Sequence, residues 1–139
     1  MSELRVEQVT LEPVPVLVAA EKGAPGEVAM RAFDRLEKAL GDITGRKFYG
    51  YYAPDQREYR ACVAVKDGDD AEKLGLARET LPGGKYVRSR LVGEPPELYR
   101  RIGPAFDDLG NINDTKDFMR PYIEFYRARN EVDLLVPIL

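Results

Sequence analysis

Hydrophobic and polar positions follow two different periods in the first half of the chain. Residues 14–21 are apolar and β-branched and stop short of Gly23, which is typical of a strand. From Pro25 to Leu40 apolar residues recur at helical spacing, and Gly41 is suited to a helix C-cap. The pattern therefore predicts a strand followed by an amphipathic helix.

The rest of the chain repeats this order of strand, helix and hairpin. Gly103-Pro104 lies inside the second helical stretch and predicts a kink or a split there. The other predicted segments are a hairpin at residues 46–52 and 58–65, a strand at 85–91, a helix opening at 93–97, a second hairpin at 120–126 and 131–138, and leading strands at 5–11 and 76–81.

The two halves share identities at one constant offset along the chain, the offset that carries Thr10-Leu11 onto Thr80-Leu81. The same offset also relates Gly23, Pro25, Glu27 and Arg31 to Gly93, Pro95, Glu97 and Arg101. Because a duplicated unit dictates the architecture of a chain, we predict a first repeat at about residues 5–66 and a second at about 75–139. Residues 66–73 would then join the two repeats.

This order of elements predicts an α+β fold. Two helices and six to eight strands would form an antiparallel sheet with the helices packed on one face. The other face of the sheet would be left to form a groove. We expect residues 1–139 to be a single domain, because a chain of this length fits one hydrophobic core.

Composition narrows the classes of function. With 21 basic and 24 acidic residues, the formal net charge of −3 argues against direct binding of nucleic acid. The chain has no histidine and one cysteine, Cys62, so we expect no transition metal and no cofactor, and a buried apolar role for Cys62. Because no apolar stretch is long enough to span a bilayer and no signal peptide is present, we expect a cytoplasmic protein without membrane contact.

The best candidate for chemistry is the segment Tyr122-Ile123-Glu124-Phe125-Tyr126. Because side chains alternate between the faces of a strand, Tyr122, Glu124 and Tyr126 would share one face. Ile123 and Phe125 would share the other face, which would pack against the helices. Each aromatic ring attracts a cation by roughly 0.5–2 kcal/mol, and a carboxylate adds an opposite charge. The pattern therefore favours a site for planar, apolar and often cationic compounds.

Tyr49 and Tyr51 lie in the matching strand of the first repeat. If the pseudo-symmetry holds, they would lie beside Glu124 in a surface formed between the repeats. An alternative interpretation is that Glu124 makes an ordinary cross-strand pair at a partly exposed position. The sequence around Gly83-Gly84 lacks the GxxxxGK[ST] pattern of a phosphate-binding loop, so we interpret the two glycines as a turn.

Three motifs together resemble a known family. They are Leu81-Pro82-Gly83-Gly84-Lys85-Tyr86, then Tyr122-Ile123-Glu124-Phe125-Tyr126, and finally Val132-Asp133-Leu134-Leu135-Val136-Pro137-Ile138. The chain is similar over nearly its whole length to the GyrI-like small-molecule-binding domain, which is the effector-binding domain of AraC- and MerR-type multidrug regulators. Because no DNA-binding segment precedes the first predicted strand, we expect a stand-alone form of this domain.

The resemblance implies duplicated βαββ (SH2-like) units with a ligand cleft at their pseudo-twofold axis. It also implies binding of lipophilic, often cationic compounds, with Glu124 as the central acidic residue. The aromatic lining would consist of Tyr51, Tyr86 and Tyr122, together with Tyr49 and Tyr126. Tryptophan often lines the pocket in this family, whereas this chain has none.

Three functions remain open from the sequence. The first is a multidrug or effector-binding protein that captures hydrophobic or cationic compounds around Glu124. The second is a hydrolase of reactive cyclopropane-type genotoxins, in which Glu124 acts as general base and a tyrosine steadies the leaving oxygen. The third is a gyrase-inhibitor-like domain that binds a protein partner. Turnover of a substrate would separate the second function from simple capture.

Overall fold

The computed structural model describes residues 5–111 and 115–139 and confirms the predicted α+β class. Within these ranges every strand pairs antiparallel to its neighbours inside its own unit. The elements in chain order are β1 (Glu7–Leu11), β2 (Val14–Lys22), α1 (Pro25–Leu40), β3 (Phe48–Ala53), β4 (Glu58–Ala64), α2 (Ala71–Leu74), β5 (Ala77–Leu81), β6 (Gly84–Val92), α3 (Glu97–Arg100), α4 (Ile102–Asn111), β7 (Ile123–Ala128) and β8 (Glu131–Pro137).

The chain divides into two compact units. The first unit is Pro13–Pro82, with strands in the order β3-β4-β2-β5, and the second unit is Met1–Glu12 with Gly83–Leu139, with strands in the order β1-β6-β8-β7. The leading strand of each predicted repeat pairs inside the other unit, since β1 pairs with β6 and β5 pairs with β2. The single-domain arrangement and the cleft at a pseudo-twofold axis stay predictions.

Strand pairing reproduces the repeat seen in the sequence. In the first unit Val14 pairs with Leu81, and in the second unit Gly84 pairs with Leu11. The offset that carries Thr10 onto Thr80 also carries Leu11 onto Leu81 and Val14 onto Gly84. The identities noted in the sequence therefore mark equivalent positions in two units of the same architecture.

Helix α1 covers one face of the first unit. Pro25 opens the helix, and the N–H of Gly41 donates to the Glu37 carbonyl at 2.9 Å to close it. The apolar stripe of the helix packs on β2 and β4, as the sequence predicts. The buried side chains of this core are Leu17, Ala19, Val28, Ala32, Leu36, Tyr59, Ala61, Val63 and Leu76.

The second unit has a divided helix in the corresponding place. The split predicted near Gly103-Pro104 is confirmed, but the break falls at Arg101, between α3 and α4. Pro104 lies in the first turn of α4, where its missing N–H leaves no intrahelical bond unmade. The buried core under these helices consists of Leu91, Leu98, Ile102, Ala105, Phe106, Leu109, Val132, Leu134 and Val136.

Arg120, which precedes the segment Tyr122-Ile123-Glu124-Phe125-Tyr126, contacts the other two motifs that carried the family resemblance. Its guanidinium lies 4.8 Å from the centroid of the Tyr86 ring. Gly84 has φ +119°, and a Cβ there would lie 2.8 Å from Arg120 Nη1, so the turn requires glycine. Arg120 also donates to the carbonyls of Gly83 and Lys85 at 3.1 Å and of Ile138 at 2.5 Å.

The predicted linker at residues 66–73 is held in place by an ion pair. Arg46 donates two hydrogen bonds of 2.7 Å to the two carboxylate oxygens of Asp69, and both side chains are only 9% exposed. The side chain of Asp70 accepts from the N–H of Lys73 and so caps the short α2. This segment is therefore an ordered part of the first unit.

Two expectations from composition concern burial and membrane contact. Cys62 is fully buried, which confirms its predicted place in the apolar interior. In the described part of the chain, none of the helices is long and apolar enough to cross a membrane.

Candidate functional site

Glu124 lies on the helix side of the second unit. It pairs with Leu134, whose side chain belongs to the core under α3 and α4, and paired residues in an antiparallel sheet point to the same face. Ile123 pairs with Leu135 and points to the opposite face. The predicted alternation is confirmed, but the predicted face is wrong, because Ile123 and Phe125 were expected to pack against the helices.

The carboxylate of Glu124 is buried and hydrogen-bonded. The residue is only 8% exposed, and the hydroxyl of Tyr126 donates to Glu124 Oε1 at 2.5 Å. A buried carboxylate is costly unless polar groups solvate it, and the phenol supplies one such donor. Glu124 therefore lies at a buried position on the helix side of the second unit, and a groove around it stays a prediction.

Four aromatic rings surround this part of the unit, and we call them the helix-side aromatic cluster: Tyr99, Phe106, Tyr122 and Tyr126. Tyr122 lies on Phe106 with ring centroids 5.2 Å apart. Tyr126 meets Tyr99 edge-to-face at 6.3 Å. Because Tyr99 is 40% exposed and Tyr126 reaches the carboxylate, the cluster connects the buried Glu124 with the protein surface.

Three residues of this arrangement are not indicated by the sequence pattern. Tyr99 and Phe106 come from helices that the pattern assigned only to the core. A Cβ at Gly110 would lie 2.9 Å from the hydroxyl of Tyr122, so glycine at the end of α4 makes room for that ring. A glycine near the end of a helix has an ordinary local explanation, and no local signal in the sequence indicates the contact of Gly110 with Tyr122.

Tyr86 lies away from Glu124 within the same unit. Val87 packs on the core under the helices, so its neighbour Tyr86 points to the helix-free face of the strands. Tyr86 is fully buried there under Arg120, and burial raises the pKa of its hydroxyl. Its role in the second unit is therefore to anchor Arg120, and a ligand contact at Tyr86 stays a prediction.

Tyr51 forms a second phenol–carboxylate pair, in the first unit. Its hydroxyl donates to Glu79 Oε1 at 2.5 Å, and Arg60 donates to the same hydroxyl at 2.8 Å. Arg60 also lies 3.4 Å from Glu79 Oε2. Burial and the bond to Glu79 raise the pKa of Tyr51. No pattern along the chain singles out Glu79, because its side chain meets Tyr51 only through the fold.

Tyr49 lies on the same helix-free face of the first unit. It pairs with Cys62, whereas Gly50 pairs with Ala61 in the core under α1. Burial raises the pKa of the Tyr49 hydroxyl. Tyr49 and Tyr51 thus point away from the helix of their own unit, whereas Glu124 points toward the helices of its unit.

Strand registers identify the counterpart of Glu124. Ala19, Ala61 and Gly50 lie side by side across β2, β4 and β3. At the same register in the second unit, Ser89, Leu134 and Glu124 lie side by side across β6, β8 and β7. The offset of the repeat carries Ala19 onto Ser89. The carboxylate of the second unit therefore replaces a glycine of the first.

Metal chemistry has no support in the described ranges. No group of three or more histidine, cysteine, aspartate or glutamate side chains in residues 5–111 and 115–139 is placed to hold a metal ion. Asp133, which is 1% exposed, is held instead by Arg90 at 2.8 Å and by Arg127 at 3.6 Å on the helix-free face of the second unit.

Solved structures share this fold. An integron cassette protein from Vibrio cholerae matches with a TM-score of 0.69 and 17% identity, over 96% of this chain and 95% of that one. SAV2435 bound to tetraphenylphosphonium matches with a TM-score of 0.66 and 12% identity, over 99% and 94%. A hydrolase from Listeria innocua matches with a TM-score of 0.61 and 15% identity, over 97% and 92%.

These similarities are structural. No protein-family model and no curated protein matches the sequence. The likeness is consistent with the GyrI-like fold that the motifs predicted, and at these identities it shows the fold alone.

Proposed function

We propose that the chain binds lipophilic organic cations at the helix-side aromatic cluster, with Glu124 as the charge partner. The observation that carries this proposal is a carboxylate buried beneath the helices of the second unit and bonded by Tyr126. SAV2435, which shares the fold, has been solved with tetraphenylphosphonium, a cation of this class. The wider role is that of a small-molecule or effector-binding protein.

The physical case rests on desolvation. A delocalised cation with apolar arms loses little hydration when it enters an aromatic site, while its attraction to a carboxylate strengthens as water is excluded. Each ring that faces the cation adds roughly 0.5–2 kcal/mol. Tyr126 keeps a donor on Glu124, so the carboxylate is held in a fixed place before the ligand arrives.

The second phenol–carboxylate pair is a poorer candidate for the same ligand. Glu79 already has a cation in Arg60, whose guanidinium also lies 5.5 Å from the centroid of the Tyr51 ring. A ligand cation would have to displace Arg60 from both the carboxylate and the ring face. We therefore expect Glu79 and Tyr51 to have a structural role in the first unit.

The test is calorimetric titration of tetraphenylphosphonium into the wild-type chain, Glu124→Gln and Glu79→Gln. Glutamine keeps the size and an acceptor oxygen but removes the charge. We expect micromolar binding to wild type, at least tenfold weaker binding to Glu124→Gln, and a change of less than twofold in Glu79→Gln, since only Glu124 would face the ligand. Equal losses of affinity in both variants, or an affinity that Glu124→Gln leaves unchanged, would refute the proposal.

Hydrolysis is a second candidate because the Tyr126 phenol already donates a hydrogen bond to the Glu124 carboxylate. A hydrolase from Listeria innocua also shares the fold. In this role Glu124 would take a proton from water as the water oxygen bonds to a cyclopropane carbon, the ring C–C bond would break, and Tyr126 would donate to the conjugated oxygen that receives the electron pair. Multiple turnovers of a cyclopropane-bearing electrophile, lost in Glu124→Gln and reduced in Tyr126→Phe, would favour hydrolysis over capture.

A further inference from the structure

Ser89 is a buried hydroxyl in an apolar core. It is 1% exposed, and among the described residues its Oγ is the buried side-chain atom for which no hydrogen-bond partner is present. Its strand neighbours on the same face are Val87 and Leu91, and both pack with the core under α3 and α4. A buried hydroxyl without a partner carries a free-energy penalty that an alanine would avoid.

The first unit shows that the fold does not require this hydroxyl. Its counterpart there is Ala19, which is fully buried under α1. Ala19 lies in β2 and Ser89 in β6, the corresponding strands of the two units, at the same register, so alanine satisfies the packing at this position. The penalty at Ser89 therefore has no structural compensation in the described residues.

Ser89 and Glu124 lie in one row across the helix side. Leu134 pairs with Ser89 on one flank and with Glu124 on the other. Two strand spacings separate the Cα atoms of Ser89 and Glu124, which is roughly 10 Å. An acidic side chain and a neutral hydroxyl thus lie at the two ends of an apolar strip.

The cover over this strip is divided. Helix α3 is a single turn of four residues that ends at Arg100, whereas α1 covers the first unit as one helix of 16 residues. A single turn has few internal hydrogen bonds, so it is the part of the cover that moves at the least cost. Tyr99, at 40% exposure, marks where a ligand would enter.

We propose that Ser89 is a specificity-determining residue of the Glu124 site. The ligand would carry a neutral hydrogen-bonding group, such as a hydroxyl or an ether oxygen, at the end remote from its cation. Its cation would pair with Glu124, its apolar body would cross Leu134, and its remote oxygen would bond to Ser89. This inference rests on the proposed function and adds the class of ligand that the site prefers.

The experiment uses two alkyltriphenylphosphonium ions of equal chain length, one ending in a hydroxyl and the other in a methyl group. Calorimetry would compare their affinities for wild type, Ser89→Ala and Ala19→Ser. The last variant is the matched control, because it adds a hydroxyl at the equivalent position of the first unit. We expect wild type and Ala19→Ser to prefer the hydroxyl-bearing ion about tenfold, and Ser89→Ala to bind both ions equally.

Thermal unfolding without ligand provides a second readout. Removing a hydroxyl that has no partner should leave the melting temperature of Ser89→Ala unchanged or raise it, so a loss of preference would not reflect a damaged fold. The role of Ser89 would be overturned if Ser89→Ala kept the preference for the hydroxyl-bearing ion. It would also be overturned if wild type bound both ions through Glu124 with no preference, and in both cases the proposed function would stand. Failure of wild type to bind either ion would overturn the proposed function as well.

Discussion

The same row of the sheet has opposite character in the two units. In the first unit the row is Ala19, Ala61 and Gly50, which are small and apolar, and in the second it is Ser89, Leu134 and Glu124. In the first unit a continuous α1 packs on β2 and β4, whereas in the second unit the shorter α4 packs on β6 and β8. One copy of the repeat is thus a closed core, and the other carries buried polar groups.

The comparison shows which features of the repeated unit are the same in both copies and which differ. Register, strand order and helix position are common to both units. Polar groups that weaken a core replace small residues at equivalent positions of one unit only. Buried polar residues without structural need are a recognised mark of functional sites, because function is the gain that offsets their cost.

The largest effect on stability should come from replacing Gly50 of the first unit with glutamate, the residue at the equivalent position of the second unit. Gly50→Glu would place a carboxylate under α1, where the neighbours Ala61 and Ala19 offer no polar group. We expect a loss of ~3 kcal/mol or more in the free energy of unfolding, measured by urea denaturation. Gly50→Ala is the control for added volume. If Gly50→Glu proved as stable as Gly50→Ala, the two rows would not differ in tolerance of charge.

The sequence predicted the elements well and the orientation of the candidate strand poorly. Periodicity located α1, because its stripe and its closing Gly41 are local signals. For β7, alternation alone defines which side chains share a face but not which face meets the helices. Tyr122, Glu124 and Tyr126 looked too polar for the helix side, and only the pairing of Glu124 with Leu134 reverses that interpretation.

A second prediction concerns the turns that begin equivalent strands. Gly84 is the counterpart of Val14, so a β-branched residue serves at this position in the first unit. Gly84→Ala would meet Arg120 and a positive φ, so we expect a loss of about 2 kcal/mol in stability. Gly26→Ala, in α1 with open space around it, should be neutral or slightly stabilising. Equal stability of the two variants in urea would contradict the role of Arg120.

The smallest effect concerns the ion pair of the first unit. Arg46 lowers the pKa of Asp69 to about 2, below its ordinary value of 3.8. Because the folded-state pKa is depressed, this stabilisation is present above the ordinary value and is lost as the pH falls through about 2. Asp69→Asn should therefore cost about 1–2 kcal/mol near neutral pH, and the difference from wild type should vanish in acid. A difference that does not depend on pH would contradict this assignment.

Tertiary contacts explain what the sequence left out of the site. Ser89 and Gly110 are unremarkable in the pattern, since a serine in an alternating strand and a glycine at a helix end have local explanations. Ser89 matters because its register places it in one row with Glu124, and Gly110 matters because the Tyr122 ring lies close to it. Glu79 likewise becomes visible only when β5 is placed beside β2 and its carboxylate meets Tyr51.

The central claim is that the second unit, through Glu124, holds a lipophilic cation. A crystal structure of the chain with tetraphenylphosphonium tests it most directly. We predict that the phosphorus atom lies within about 6 Å of the Tyr126 ring, against Glu124 and beneath a displaced α3. A cation found instead beside Tyr51 and Glu79, with the helix-side aromatic cluster unchanged, would contradict the account.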